Sequence, residues 1–102
     1  MASAESLAHY DETLALYSTD PRVRATMRYL TESGHYPDES VDAFEWCRWD
    51  AANVIRAIDE GDSPVMDAYL ALADSGVHDT TDPGDEYHLT IDAERIAQIA
   101  SR

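Results

Sequence analysis

The longest helical pattern of the chain covers residues 39–60, which read ESVDAFEWCRWDAANVIRAIDE. At 100° per residue, one arc of this predicted helix collects the apolar side chains that are expected to face a core. They are Phe44, Cys47, Ala51, Val54, Ile55 and Ile58. Asp38 or Ser40 can cap the start of the helix, and Gly61 can end it. Its length suits a helix at the centre of the fold.

Two tryptophans lie on the other side of this predicted helix. Trp46 and Trp49 fall opposite the apolar arc, close to Asp50 and Asn53 in angle. One interpretation is a helix that is buried on both faces. The other is an exposed aromatic patch for a protein partner, since a single tryptophan ring buries a large area at an interface.

Four further segments carry helical signals, both in apolar stripes and in capping residues. They cover about residues 4–18, 21–33, 63–75 and 92–101. Asp92 is the expected cap of the last helix, because residues 86–91 alternate weakly between polar and apolar side chains, as in a strand. The sequence therefore predicts an all-α fold: a compact bundle of four to five helices, with at most one short strand or hairpin near 86–91. A single acidic domain over residues 1–102 is expected.

The chain is strongly acidic, with 21 Asp and Glu against 7 Arg, no Lys and a formal net charge of -14. Residues 57–94 hold eleven acids and no base, whereas residues 22–56 have a net charge of only -1. Phosphate backbones are bound by Lys and Arg, so this balance argues against direct contact with nucleic acid. Two explanations stay open: solvation in strong salt, as in a halophile, or a surface for a basic partner.

A basic partner would contact the acids of the C-terminal half. The expected contact residues are Asp59, Glu60, Asp62, Asp67, Asp74, Asp79, Asp82, Asp85 and Glu86. In size and acidity the chain resembles phage-encoded anti-restriction and anti-CRISPR proteins that mimic DNA. The resemblance is one of composition alone, and it assigns no role to any single residue.

The resemblance implies an inhibitor that occupies the basic nucleic-acid-binding groove of a partner protein, in the cytoplasm of a host if the protein is viral. The alternative is a salt-adapted cytoplasmic helical protein with an adaptor role, whose acidity is a response to its solvent. A homodimer is compatible with either function.

Motifs for catalysis and for cofactor binding are not found, so we expect neither enzyme activity nor a cofactor. One short stretch is rich in side chains of the types that bind metals. It contains His78, Asp79, Asp82, Asp85 and His88. The spacing fails the pattern of an EF-hand, so we interpret the stretch as a solvated acidic loop with no metal; the alternative is a weak cation site, which high salt would favour.

The single cysteine, Cys47, cannot form an internal disulfide, which favours a reducing cytoplasmic compartment. Its place within the apolar arc predicts a small buried side chain, with a reactive thiol as the alternative. The apolar runs are too short for a membrane span, and the N-terminal residues do not match a signal peptide.

Overall fold

The computed structural model describes residues 12–35, 41–76 and 78–101, and all of its regular structure is helical. Five helices are present in these ranges. They are α1 (12–17), α2 (Pro21–Glu32), α3 (Val41–Glu60), α4 (Pro64–Ser75) and α5 (Pro83–Ala100). The predicted all-α class is therefore confirmed. Within the described ranges, no helix is both long and apolar enough to cross a membrane.

The chain divides into two compact units, Met1–Asn53 and Val54–Arg102. They are called the N-terminal unit and the C-terminal unit below. The division falls within α3, so the first part of this helix belongs to the N-terminal unit and its last two turns belong to the C-terminal unit. The single domain expected from the sequence stays a prediction.

Local capping chemistry explains where α2 begins and ends. The Asp20 carboxylate accepts a hydrogen bond of 2.9 Å from the backbone N–H of Arg22, and Pro21 occupies the first turn. Proline suits this position because the N–H that it lacks would have no partner in the helix. Beyond Ser33 the chain turns at Gly34, whose φ of +83° is a left-handed conformation that favours glycine.

The core of the N-terminal unit lies where α2 meets the first part of α3. Its buried residues include Val23, Leu30 and Ala51. Cys47 is also buried, as predicted, with its Sγ 3.5 Å from the carbonyl oxygen of Met27. Burial raises the pKa of this thiol. Because the thiolate is the reactive form, a raised pKa argues against the alternative of a reactive thiol.

The apolar arc of α3 was predicted correctly except at one position. Cys47, Ala51, Val54, Ile55 and Ile58 are buried. Phe44, by contrast, is 56% exposed, so its predicted place in the core is wrong. It lies in the first turn of α3. Helical periodicity gives the angle of a side chain around the axis, but not how far along the axis neighbouring elements extend.

In the C-terminal unit, α4 packs against α5. Pro64 occupies the first turn of α4, and Gly76 ends the helix with a φ of +80°. The buried side chains of the pair are mostly aliphatic. They include Ala68 and Leu72 of α4 and Leu89, Ala93, Ile96 and Ala97 of α5. Their spacing of three and four residues forms the inner stripe of each helix.

The predicted boundary of the last helix is wrong. Residues 86–91 lie inside α5, so the strand or hairpin expected there is absent, and Asp92 lies in the middle of the helix. The actual cap is Asp82, whose carboxylate accepts a hydrogen bond of 2.9 Å from the N–H of Gly84. A weak alternation over six residues is compatible with a helix, and Asp82-Pro83 is a capping signal of the same kind as Asp20-Pro21.

Candidate acidic binding surface

All nine acids of the predicted contact surface lie in the C-terminal unit. Asp67 and Asp85 are half-buried. The other seven are exposed: Asp59, Glu60, Asp62, Asp74, Asp79, Asp82 and Glu86. They follow the chain from the end of α3, through α4 and the loop after it, into the first turn of α5. The carboxylates of this unit are thus presented to solvent along most of its length.

The loop before α5 is folded around two of these carboxylates. Asp79 accepts hydrogen bonds from the backbone N–H of Thr81 at 3.0 Å and from its hydroxyl at 2.6 Å. Asp82 accepts one from Gly84, as described above. Turns are stabilised by hydrogen bonds of this type, in which an aspartate carboxylate accepts from the backbone N–H two residues ahead. The bonds from Thr81 lower the pKa of Asp79, which keeps this carboxylate charged.

The first turn of α5 adds two more acids. Asp85 accepts from the backbone N–H of Asp79, and Glu86 accepts a hydrogen bond of 3.3 Å from the Tyr69 hydroxyl on α4. Desolvation raises the pKa of Tyr69, and the charge of Glu86 raises it further, so the hydroxyl remains a donor. Carboxylates near the N-terminus of a helix also interact favourably with the helix dipole.

A fully buried histidine anchors this loop to α5. The His78 ring has no solvent exposure, and each of its nitrogens meets a carboxylate. Nδ1 lies 2.7 Å from Oδ1 of Asp85, and Nε2 lies 2.7 Å from Oδ2 of Asp92. Both ring nitrogens are thus within hydrogen-bond distance of a carboxylate, which fixes the orientation of the imidazole. We call these three residues the His78 cluster.

The sequence predictions did not find the role of Asp92. Asp85 and Asp92 are seven residues apart, so they share one face of α5, and both reach the same imidazole. A helix that begins at Pro83 contains both residues, whereas the predicted start at Asp92 leaves Asp85 outside the helix. The proximity of His78 to that face depends on the course of the loop, which no local pattern predicts.

The Asp67 side chain, in the first turn of α4, contacts the residues that precede the helix. Its Oδ2 accepts a hydrogen bond of 3.1 Å from the backbone N–H of Ser63. A Cβ atom at Gly61 would overlap this carboxylate, so the glycine provides the space for it. Asp67 therefore helps to begin α4 from within its first turn.

Two other predicted acids differ in their surroundings. Glu60 accepts from the Arg56 guanidinium at 2.9 Å, one turn earlier on α3, so its charge is compensated. Asp74 lies near the end of α4 with its side chain exposed. The predicted surface thus combines Glu60, which is paired with an arginine, with four acids whose donors carry no formal charge: Asp67, Asp79, Asp82 and Glu86.

The five side chains of metal-binding type between residues 78 and 88 have separate roles. His78 and Asp85 bind one another, Asp79 and Asp82 bind local backbone N–H groups, and His88 is exposed. The stretch is therefore not a solvated loop throughout, because His78 is fully buried. The expected absence of a metal stays a prediction.

The predicted aromatic patch lies in the N-terminal unit. The rings of Trp46 and Trp49 are stacked, with centroids 4.7 Å apart and an angle of 22° between their planes. Trp46 is 47% exposed and Trp49 is half-buried. The pair is therefore accessible on one side, rather than enclosed in the core.

Comparison of the sequence with protein-family models and with curated proteins, and of the fold with solved structures, found no match.

Proposed function

We propose that this protein is a non-enzymatic module that binds a basic partner through the acidic surface of its C-terminal unit. In its most specific form, the proposal is an inhibitor that mimics DNA and occupies the nucleic-acid-binding groove of another protein. The proposal includes a cytoplasmic location, where nucleic-acid-binding partners and a reduced Cys47 would both be found.

The observation that carries the proposal is the chemistry of the donors around these acids. Asp67, Asp79 and Asp82 accept hydrogen bonds from backbone N–H groups, and Glu86 accepts one from a tyrosine hydroxyl. None of these donors carries a formal charge. The carboxylates are therefore held in place without being neutralised, and a surface ordered in advance loses less conformational entropy when it binds.

The amount of charge is appropriate for mimicry of a short duplex. Duplex DNA has two phosphates per base pair, so the nine acids of the proposed surface carry the charge of about four to five base pairs, or roughly 15 Å of duplex. The 18 residues of α5 span about 27 Å at 1.5 Å per residue. The C-terminal unit is thus long enough to present the charge of a short duplex.

Arginine and lysine side chains that hold phosphates can hold carboxylates in the same way, and guanidinium groups bind both with two parallel hydrogen bonds. Attraction between opposite fields accelerates association and weakens as salt is added. Rapid, salt-sensitive binding to a basic groove is therefore the expected behaviour. The proposal gives the His78 cluster a structural role, because the imidazole has no exposed surface with which to reach a substrate.

The proposal is tested by displacement of DNA. Basic proteins captured by the immobilised protein from a nuclease-treated lysate are purified, and each is loaded with a fluorescein-labelled duplex of about 20 base pairs. We expect the acidic protein to release the duplex at a ratio near one to one, as measured by fluorescence anisotropy. The release should weaken as KCl rises from about 0.05 to about 0.5 M.

The role of the charge is tested by a variant that combines Asp62→Asn with Asp74→Asn. This variant removes two exposed charges and leaves the carboxylates of the turns intact. Its displacement curve should shift to higher protein concentration. If captured proteins retain their DNA, or if the neutralised variant displaces it equally well, mimicry of DNA is wrong.

A salt-adapted helical protein is the second candidate, and the 13 Asp residues and the absence of Lys favour it. Far-ultraviolet circular dichroism with thermal melts at about 0.1 M and about 2–3 M KCl separates the two functions. A protein that is folded and stable at low salt does not need its acids for solvation. A protein that unfolds until salt is high would remove the main support for mimicry.

A further inference from the structure

The α4 helix, PVMDAYLALADS, is apolar around most of its circumference. Ala68 and Leu72 on its inner face are fully buried. On its outer face, Met66 is 56% exposed and Leu70 is 57% exposed. A helix at a protein surface normally places polar side chains there, whereas a helix that is apolar on all sides is normally buried.

The two exposed apolar side chains form one contiguous feature. Met66 and Leu70 are four residues apart, so they are neighbours on the surface of the helix. By the same periodicity, Asp67 and Asp74 lie within about 100° of them. From residue 66 to residue 74 the helix rises about 12 Å. The outer face of α4 is therefore a short apolar stripe with carboxylates beside it.

We propose that this outer face of α4 docks a basic amphipathic helix of a partner protein, with Met66 and Leu70 as the apolar anchors. The inference rests on the proposed function and specifies which segment of the partner is bound and where. Amphipathic helices bind apolar surfaces through side chains spaced three and four residues apart. Basic residues beside such a stripe would meet Asp67 and Asp74.

Charge disfavours the nearest alternative occupant, the same face of a second copy of this chain. Residues 57–94 contain eleven acids and no base, so two such faces would repel one another. A basic helix brings the opposite charge, and basic helices are a common means by which proteins hold nucleic acids. The occupant that fits the stripe is therefore also a segment that a DNA mimic would compete for.

The test uses two labelled peptides of about 16 residues, a length of about 24 Å as a helix. One peptide combines arginine with leucine at helical spacing, and the other has the same arginines with glutamine in place of leucine. Binding to the full-length protein is measured by fluorescence anisotropy at about 0.15 M and about 0.6 M KCl. We expect the leucine peptide to bind at least about tenfold more tightly.

The variant Met66→Gln with Leu70→Gln should lower affinity for the leucine peptide by about tenfold or more, because it removes the anchors of the contact. Glutamine preserves helix propensity, and both side chains are exposed, so the fold should be retained. Its circular dichroism melt verifies this. The matched control is Leu16→Gln in α1, which changes a leucine that is 77% exposed. It should leave affinity unchanged.

The contributions of charge and of apolar contact to the binding affinity are distinguished by their response to salt. Asp74→Asn should weaken binding by about two- to threefold at the lower salt concentration and much less at the higher one. The effect of the Met66 and Leu70 changes should persist at both concentrations, because apolar contact is not screened.

Equal binding of both peptides, with no effect of the Met66 and Leu70 changes, would overturn the inference and leave the proposed acidic surface standing. Failure of the wild-type protein to bind either peptide would also overturn it, and the DNA displacement assay would then judge the proposed function separately. Sedimentation that shows a dimer dissociated by Leu70→Gln would identify a second copy as the occupant, and the inference would be wrong.

Discussion

The two units of the molecule use their acidic side chains differently. In the N-terminal unit, carboxylates pair with guanidinium groups. The pairs are Asp20 with Arg22 at 2.7 Å, Glu32 with Arg28 at 3.1 Å and Glu45 with Arg48 at 4.0 Å. In the C-terminal unit, Glu60 is paired with Arg56 in the same way, but Asp67, Asp79 and Asp82 accept from backbone N–H groups.

This difference shows that the hydrogen bonding of a carboxylate is independent of the neutralisation of its charge. A carboxylate can have its hydrogen bonds satisfied without having its charge neutralised. Ion pairing compensates the charges of three carboxylates in the N-terminal unit, whereas capping and turn hydrogen bonds leave the charges of Asp67, Asp79 and Asp82 in the C-terminal unit uncompensated. Hydrogen bonds of the second kind also order the side chains that a partner would meet.

The largest expected effect concerns the buried His78 cluster of the C-terminal unit. Asp92→Ala removes the carboxylate that lies 2.7 Å from Nε2 of His78 and should lower the free energy of unfolding by about 3 kcal/mol, because a buried polar group loses this partner. Urea denaturation measures the change. Asp74→Ala, at an exposed aspartate, should change it by less than about 0.5 kcal/mol. Similar values for the two variants would show that the His78 cluster does not stabilise the unit.

A smaller effect is expected in the core of the N-terminal unit. The hydroxyl of Thr26 is fully buried, and within the described residues it has no hydrogen-bond partner. Thr26→Val replaces this hydroxyl with a methyl group of similar shape and should raise the free energy of unfolding by about 1 kcal/mol. Thr26→Ser keeps the hydroxyl and loses the methyl group, so it should lower the stability. A loss of stability in the valine variant would reveal an unseen partner for the hydroxyl.

The caps of α2 and α5 allow a direct comparison of the two units. Asp20→Ala and Asp82→Ala each remove a carboxylate that binds the first turn of a helix, and each should cost about 0.5–1 kcal/mol at neutral pH. Thermal denaturation measures both. Loss of stability in only one variant would show that the two Asp-Pro caps are not equivalent.

The cap of the N-terminal unit also predicts a dependence on pH. Hydrogen bonds from Arg22 lower the pKa of Asp20 below its ordinary value. The stabilisation is therefore complete above the unfolded pKa, near 4, and is lost as pH falls through the lower folded value. The difference between wild type and Asp20→Ala should shrink on acidification over that range. A difference that stays constant down to about pH 2 would contradict the role of the charge.

The smallest effect is expected at the exposed pair of the N-terminal unit. Arg28 and Glu32 are one turn apart and both largely exposed. Arg28→Gln should reduce the free energy of unfolding by about 0.3 kcal/mol or less, and added salt should abolish the difference. Chemical denaturation at two salt concentrations measures it. A change above about 1 kcal/mol would mean that pairing in this unit does more than neutralise charge.

Several features of this protein follow from short stretches of sequence. Asp20-Pro21 and Gly34 mark the limits of α2, and Gly76 marks the end of α4, because capping bonds join residues only a few positions apart. The all-α class and the acidity of residues 57–94 are likewise properties of sequence alone. Asp82-Pro83 also marks the start of α5, whereas the weak strand-like alternation of residues 86–91 does not indicate a strand.

Other features were decided by tertiary structure. The exposure of Phe44, and of Met66 and Leu70 on α4, depends on which elements cover each face, and the periodicity of one helix contains no information about its neighbours. The contact between His78 and Asp92 joins residues 14 positions apart across a loop. Such a contact forms only where the folded chain brings two buried polar groups within hydrogen-bond distance, since their interaction must offset the cost of removing both from water.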